Sequence, residues 1–251
     1  MRRILRAALL ALALAAGTLS TARAGEPVDL LLVLAADVSR SVDVQKFQLQ
    51  RDGYAAAFSD ARVLEAIRSG THRRIAVCFV EWSGLTAQRV VIDWTVIHDA
   101  ASAREFGDKL VEAPRSFAER TSISGGIDFA VAQFARSRYE ASRRTIDVSG
   151  DGTNNSGRDV RAARDEAVAR DITINGLVIL SERPLAWNPD HTHPPGGLAN
   201  YYQDNVIGGP GAFVMAAEDF NAFGKALINK LVAEIAQSAP PRHVMVADHF
   251  D

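Results

Sequence analysis

Apolar positions along this chain follow two patterns. Short strands are predicted at Leu30 to Ala36, Ile75 to Trp82, Thr145 to Ser149, Ile172 to Ile179 and Ala212 to Met215. The first of these is apolar without a break, as expected for a strand buried on both faces at the centre of a parallel sheet. Gln88 to Val96 is a further strand, and its short separation from the Ile75 run through Ser83-Gly84 predicts a hairpin and one antiparallel edge strand. Between these runs the apolar residues recur at helical spacing. Phe47, Tyr54 and Phe58 share a face in Val44 to Ser69, where Gly53 is an interruption and Gly70 a stop. Phe106 and Leu110 follow an Asp99 cap, and Ile127, Val131 and Phe134 follow a Ser124 cap. Asp159 to Arg170 is a charged helix, while Phe220, Phe223, Leu227, Leu231 and Ile235 make the last helix an amphipathic cover for the sheet. Strands alternating with helices predict a doubly wound α/β fold: a mostly parallel sheet with one antiparallel edge strand and helices on both faces.

Composition sets the boundaries of this domain. Residues 1–24 carry Arg2, Arg3 and Arg6, then an apolar run from Ala7 to Ala16, then Ala22-Arg23-Ala24. These are the three parts of a secretory signal peptide, with cleavage expected after Ala24 and a destination in the periplasm or outside the cell. No later stretch is long and apolar enough to span a bilayer. Removing 1–24, with its four arginines and no acid, moves the formal charge from −2 to −6. A mildly acidic chain without a basic stripe is a poor nucleic-acid binder. Residues 25–238 suffice for one large domain, and 239–251, which contains Pro240-Pro241, reads as a frayed tail. The one cysteine, Cys78, lies inside an apolar run and reads as a buried, inert thiol.

The candidate chemistry lies where strands end. Asp37-Val38-Ser39-Arg40-Ser41 follows the first run, Thr121 sits in the hydroxyl-rich loop Glu119 to Gly126, and Asp151 sits in Gly150-Asp151-Gly152-Thr153-Asn154-Asn155. Ligands of open α/β sheets bind beyond the carboxyl ends of the strands, and hard divalent cations take oxygen donors. Each loop taken alone reads equally as a polar turn with an N-cap. An EF-hand reading of Asp147 to Arg158 fails, because the twelfth position is arginine and Asp147 falls inside a strand.

Together and in this order, the three loops resemble the von Willebrand factor A domain and its metal-ion-dependent adhesion site. That pattern has a DxSxS loop after the first strand, a threonine before the third helix and an aspartate after the fourth strand. The run SGDGTNN, with YYQDNVIGGPGAFV further on, resembles a secreted proteobacterial group of A-domain-like proteins with no assigned function. The resemblance implies a divalent cation, magnesium first and manganese or calcium next, held by Asp37, Ser39, Ser41, Thr121 and Asp151. It also implies a protein partner that presents an aspartate or glutamate to the open coordination position.

Two rivals stand beside this adhesion-type reading: a metal-assisted hydrolase, and a degenerate domain with a purely structural cation. Against the hydrolase, the chain has no nucleophile elbow, no HExxH and no histidine in the three ligand loops. Arg40 is expected beside the metal mouth, either steering an acidic partner or paired with Asp43. Ser181 to Pro210 is a long connection on the same rim; its Trp187, Tyr201 and Tyr202 are expected to carry partner specificity, the opposing account being that Tyr201 and Tyr202 begin a short helix packed on the core and leave only Trp187 and the histidines exposed. Within it, His191-Thr192-His193 reads as a solvated loop, because two histidines without a third ligand make a poor zinc site. Gly208 to Gly211 lacks the lysine of a phosphate loop and reads as a tight turn.

Overall fold

The structure is a computed structural model and describes residues 25–181 and 183–236, together with the backbone of 245–246. The expected signal peptide, residues 1–24, and most of 239–251 lie outside the described residues. In chain order the elements are β1 (Glu26–Pro27), β2 (Leu31–Asp37), α1 (Val44–Ser59), α2 (Ala61–Ser69), β3 (Ile75–Trp82), β4 (Gln88–Ile97), α3 (Ala100–Glu112) and α4 (Ile123–Phe134). They continue with β5 (Tyr139–Glu140), β6 (Arg144–Gly150), α5 (Val160–Val168), β7 (Thr173–Ile179), α6 (Pro189–Thr192), α7 (Leu198–Asn205), β8 (Val214–Ala217), α8 (Phe223–Ile235) and β9 (Met245–Val246).

Seven strands form one sheet in the order β4-β3-β2-β6-β7-β8-β9, and β1 pairs separately with β5. All neighbours in the large sheet are parallel except β3 and β4, the expected hairpin. The chain winds outward in one direction from β2 and in the other from β6. The two strands are neighbours, with Ala36 level with Ser149, so their carboxyl ends meet at the switch point of the sheet.

Alternation along the strands divides the core. Leu30, Leu32 and Leu34 pack with Tyr54 and Phe58 of α1, Phe106 of α3, and Leu227 and Leu231 of α8. Val33 and Ala35 face the other way, toward Ile127 of α4, Val160 of α5 and Tyr202 of α7. Burying each large side chain contributes about 1.5–3 kcal/mol. The Phe58 and Phe106 rings meet edge to face at 4.9 Å, which ties α1 to α3.

Several boundaries differ from the sequence expectation, each for a local reason. The long first helix breaks at Asp60, whose carboxylate accepts from Arg62 N–H at 2.8 Å and so caps α2. Gly53 stays helical because α8 crosses there: a side chain at 53 would press on the Phe223 ring. The cap of α4 is Ser122, which accepts from Gly125 N–H at 3.2 Å, and Ser124 lies inside the helix. The short strand expected at Ala212 to Met215 instead spans Val214–Ala217. Ser181 to Pro210 folds into α6 and α7, with Tyr202 fully buried and Tyr201 half-buried, so only Trp187 of its aromatics is strongly exposed. Within the expected tail, Met245–Val246 pairs parallel with β8 and extends the sheet by one short strand.

Candidate metal site

Four of the five expected site residues converge at the switch point through hydrogen bonds. The Asp37 carboxylate accepts the Ser39 N–H at 2.7 Å through Oδ1, which bends the chain back at the end of β2. Ser39 Oγ lies 3.1 Å from Ser41 Oγ, and Ser41 Oγ donates to Asp151 Oδ1 at 2.5 Å. The loop is clamped from outside. Arg115 donates to the Val38 and Ser39 carbonyls at 2.6 and 2.9 Å, and Gln50 donates to the Asp37 carbonyl at 3.2 Å. Glu81, buried against Arg51, accepts the Ser116 N–H at 2.8 Å and so holds the segment that carries Arg115.

The fifth residue, Thr121, arrives from its own loop and is riveted to the turn after β6. Its N–H donates to Asn155 Oδ1 at 3.0 Å, and its carbonyl accepts the Asn155 N–H at 2.9 Å. Asn154 does the same one turn on, accepting the Ser124 N–H at 3.1 Å through Oδ1. Thr121 Oγ1 does not meet the serines directly; its partner is His191 Nε2 at 3.2 Å. Ser41, Thr121 and His191 line one cleft of about 300 Å³ with Arg40, Arg120 and Trp187 at its rim.

His191 corrects the expectation of a solvated loop. It is 2% exposed, Thr192 is also buried, and only His193 is exposed. The His191 carbonyl accepts the Thr153 N–H at 2.9 Å, and its ring lies on Gly152, where any side chain would overlap the imidazole. The sequence carries a faint signal for this placement: Gly152 follows the aspartate of the third loop, and a glycine there permits close approach. The objection that no histidine reaches the ligand loops therefore fails. Burial holds the His191 pKa below its ordinary value, Asp151 opposing the shift.

The electrostatics fit a divalent cation. Asp37 is fully buried; burial first, then the charge of Asp151, push its carboxyl up to about 8. Its Oδ2 has no hydrogen-bond partner, and neither has the buried Tyr202 hydroxyl across Gly150. A buried carboxylate oxygen without a partner carries a large desolvation cost. Arg115 is the positive charge that acts on Asp37, while Lys46 Nζ stands 3.4 Å from Asp151 Oδ2 and donates to the Ser41 carbonyl at 2.8 Å. Among the described residues no three His, Cys, Asp or Glu side chains come close enough to hold a metal by themselves. The donor set instead rests on hydroxyls, which with two carboxylates suit a hard cation that keeps several waters.

Two larger clefts, of about 530 and 590 Å³, lie at the opposite ends of the strands. In the first, Arg143 donates to the Ile235 carbonyl at 3.1 Å and Glu234 is engaged by Lys230, so its charges are spent on structure. Cys78 is buried, and burial pushes its thiol up to about 12, consistent with the inert reading.

The sheet order and the three loops at its switch point define a von Willebrand factor A fold. Among solved structures, a von Willebrand factor type A protein from Catenulispora acidiphila is similar at a TM-score of 0.54 and 16% identity, covering 84% of this chain and 43% of that one. Proximal thread matrix protein 1 from the mussel byssus, with a zinc-occupied metal-ion-dependent adhesion site, is similar at 0.58 and 12%, over 84% and 49%. The pilus adhesin SpaC from Lactobacillus rhamnosus GG is similar at 0.58 and 13%, over 84% and 31%. The chain thus spans less than half the length of each. It belongs to the family described as a protein of unknown function (DUF1194), whose model matches residues 27–239. No curated protein matches the sequence.

Proposed function

We propose that this protein is an exported, adhesion-type binding domain that captures a carboxylate of a partner protein through a divalent cation at Asp37, Ser39, Ser41, Thr121 and Asp151. The observation that carries this reading is the Asp37 Oδ2 atom, fully buried and unpartnered beside a second carboxylate. A bound cation supplies an electron-poor centre with a position open to a partner's acid. The chain's own part is to aim Ser39 and Ser41 inward through the Asp37 turn and the Arg115 clamp, and to keep Asp151 against Ser41. Export rests on the character of residues 1–24; among the described residues no helix is long and apolar enough to cross a membrane.

Recovery of partners from an envelope extract, with magnesium and again with chelator, tests this reading. Capture should require the cation and be lost in Asp37→Ala, and calorimetry should show cation binding in wild type only. Equal cation affinity in wild type and Asp37→Ala would sink the assignment.

One observation favours a second reading, metal-assisted hydrolysis: His191 stands within reach of Thr121 and of the cation site. Its lowered basicity suits a general base less well, since catalytic bases are tuned near the working pH. A hydrolase screen on purified protein with magnesium or manganese separates the two.

A further inference from the structure

We propose that His191 is a ligand this chain supplies to its own site, beside Thr121, and that it tilts the site toward cations that accept nitrogen, zinc above all. This rests on the metal site proposed above and concerns a residue outside its three loops. The first support is placement. His191 comes from the short helix α6 in the β7–β8 connection, yet its backbone and ring are both fixed to the turn that carries Asp151. The second is weak satisfaction. A buried imidazole usually meets a carboxylate or a backbone carbonyl, whereas here Nε2 meets only the Thr121 hydroxyl at 3.2 Å. Nδ1 meets the Thr153 hydroxyl at 3.3 Å and the Asn155 amide at 3.4 Å.

The third support is spacing. Two ligands of one metal stand about 3.0 Å apart along an octahedral edge with bonds of about 2.1 Å, and about 3.3 Å apart in a tetrahedral site. The Thr121–His191 separation of 3.2 Å and the Ser39–Ser41 separation of 3.1 Å both fall in that interval. Coordination through Nε2 would put the other ring proton on Nδ1, where the Thr153 hydroxyl at 3.3 Å can accept it once the Asn155 amide, a donor at 3.4 Å, turns away. Imidazole nitrogen suits zinc, while magnesium and calcium prefer oxygen. A site of hydroxyls and carboxylates alone would lack that bias.

Calorimetric affinities for zinc and for magnesium, measured on the full chain, test the inference in wild type, His191→Gln and Asp37→Ala. Glutamine keeps a hydrogen bond to Thr121 but removes the ring nitrogen. The expected result is a loss in zinc affinity in His191→Gln of more than about 100-fold, above the roughly 10–100-fold that removal of an outer partner costs, with magnesium affinity changed less than about 3-fold. Cobalt bound to wild type should show a visible spectrum that changes in His191→Gln, a readout that a purely structural histidine would leave alone. Parallel loss of both cations, or an unchanged zinc-to-magnesium ratio and cobalt spectrum, overturns the role of His191 while leaving the site standing, provided Asp37→Ala abolishes binding. Should His191→Gln fail to fold, the wild-type cobalt spectrum decides alone: bands without nitrogen ligation overturn the inference. No binding of any cation by wild type overturns both the site and the ligand.

Discussion

Two clusters of buried acids stand on adjacent strands of this sheet and resolve their charge in opposite ways. In the core between the sheet, α1 and α8, Asp147 meets Lys230 Nζ at 2.7 Å, and Lys230 is also paired with Glu234. Glu234 accepts from Asn175 Nδ2 at 2.7 Å, and Asn175 Oδ1 accepts the Phe213 N–H at 3.1 Å. There the chain provides its own cation, which is 0% exposed. At the carboxyl edge, Asp37 and Asp151 meet the Ser39–Ser41 loop, and the cations beside them, Arg115 and the partly exposed Lys46, are engaged by the Val38, Ser39 and Ser41 carbonyls. Equal burial thus meets unequal neutralisation: an internal lysine serves one cluster, and a partly exposed lysine stands beside the other, where the proposed cation would bind.

Removing the internal cation should produce the largest effect. Lys230→Met leaves Asp147 and Glu234 facing each other without a positive charge, and breaking a buried pair this way costs about 3–5 kcal/mol. Urea unfolding should show that loss, whereas Lys46→Met at the other cluster should change stability little, because Lys46 is partly exposed. Comparable losses in the two variants would erase the distinction.

A smaller effect follows from pH. Burial, reinforced by Glu234 and opposed by Lys230, pushes the Asp147 carboxyl up to about 7. The buried Tyr54 also faces it, its hydroxyl 3.0 Å from Ser149 Oγ. Because the folded pKa lies above the unfolded one, the folded state holds more protons between about pH 4 and 7. Unfolding free energy should therefore fall as pH rises through that window. Asp147→Asn should flatten this part of the profile, by about 1.4 kcal/mol for each pH unit of the window, when both proteins are measured in chelator. An unchanged slope would mean that Lys230 holds Asp147 ionised throughout.

The sequence made one cluster legible and hid the other. Asp37, Ser39, Ser41, Thr121 and Asp151 stand out because each interrupts the apolar pattern just past a strand or before a helix, where side chains must point at the switch point. Lys230 and Glu234 do not stand out: they occur among Leu227, Leu231 and Ile235 on a helix where charged residues normally face water. Their partner, Asp147, sits inside the strand Thr145 to Ser149, where polar and apolar residues alternate and its side of the strand reads as solvent-facing. His191 was hidden differently, since its role depends on where a long connection folds back, and only Gly152 hints at the contact. The strand boundaries were largely readable from apolar runs, and the helix caps less so. Ser122 and Ser124 are chemically equivalent candidates whose choice is settled by the rivet from Asn154.

The smallest expected effect concerns Arg40, at the outer limit of the carboxyl-edge cluster. The ion pair with Asp43 is not formed: Asp43 instead caps α1, accepting the Lys46 N–H at 2.9 Å. The Arg40 N–H donates to the Glu119 carbonyl at 2.9 Å, and its exposed side chain lines the same cleft as Ser41 and Thr121. Unlike Lys230, it sits in water, so its charge is screened over about 8–10 Å and contributes to encounter more than to the final complex. Arg40→Ala should slow association with a partner recovered in magnesium by a few-fold and flatten its dependence on ionic strength. Cation affinity and unfolding free energy should stay as in wild type. Association that is unchanged in rate and in salt dependence would confine partner selection to Trp187 and the cation itself, leaving Arg40 as an ordinary solvated arginine.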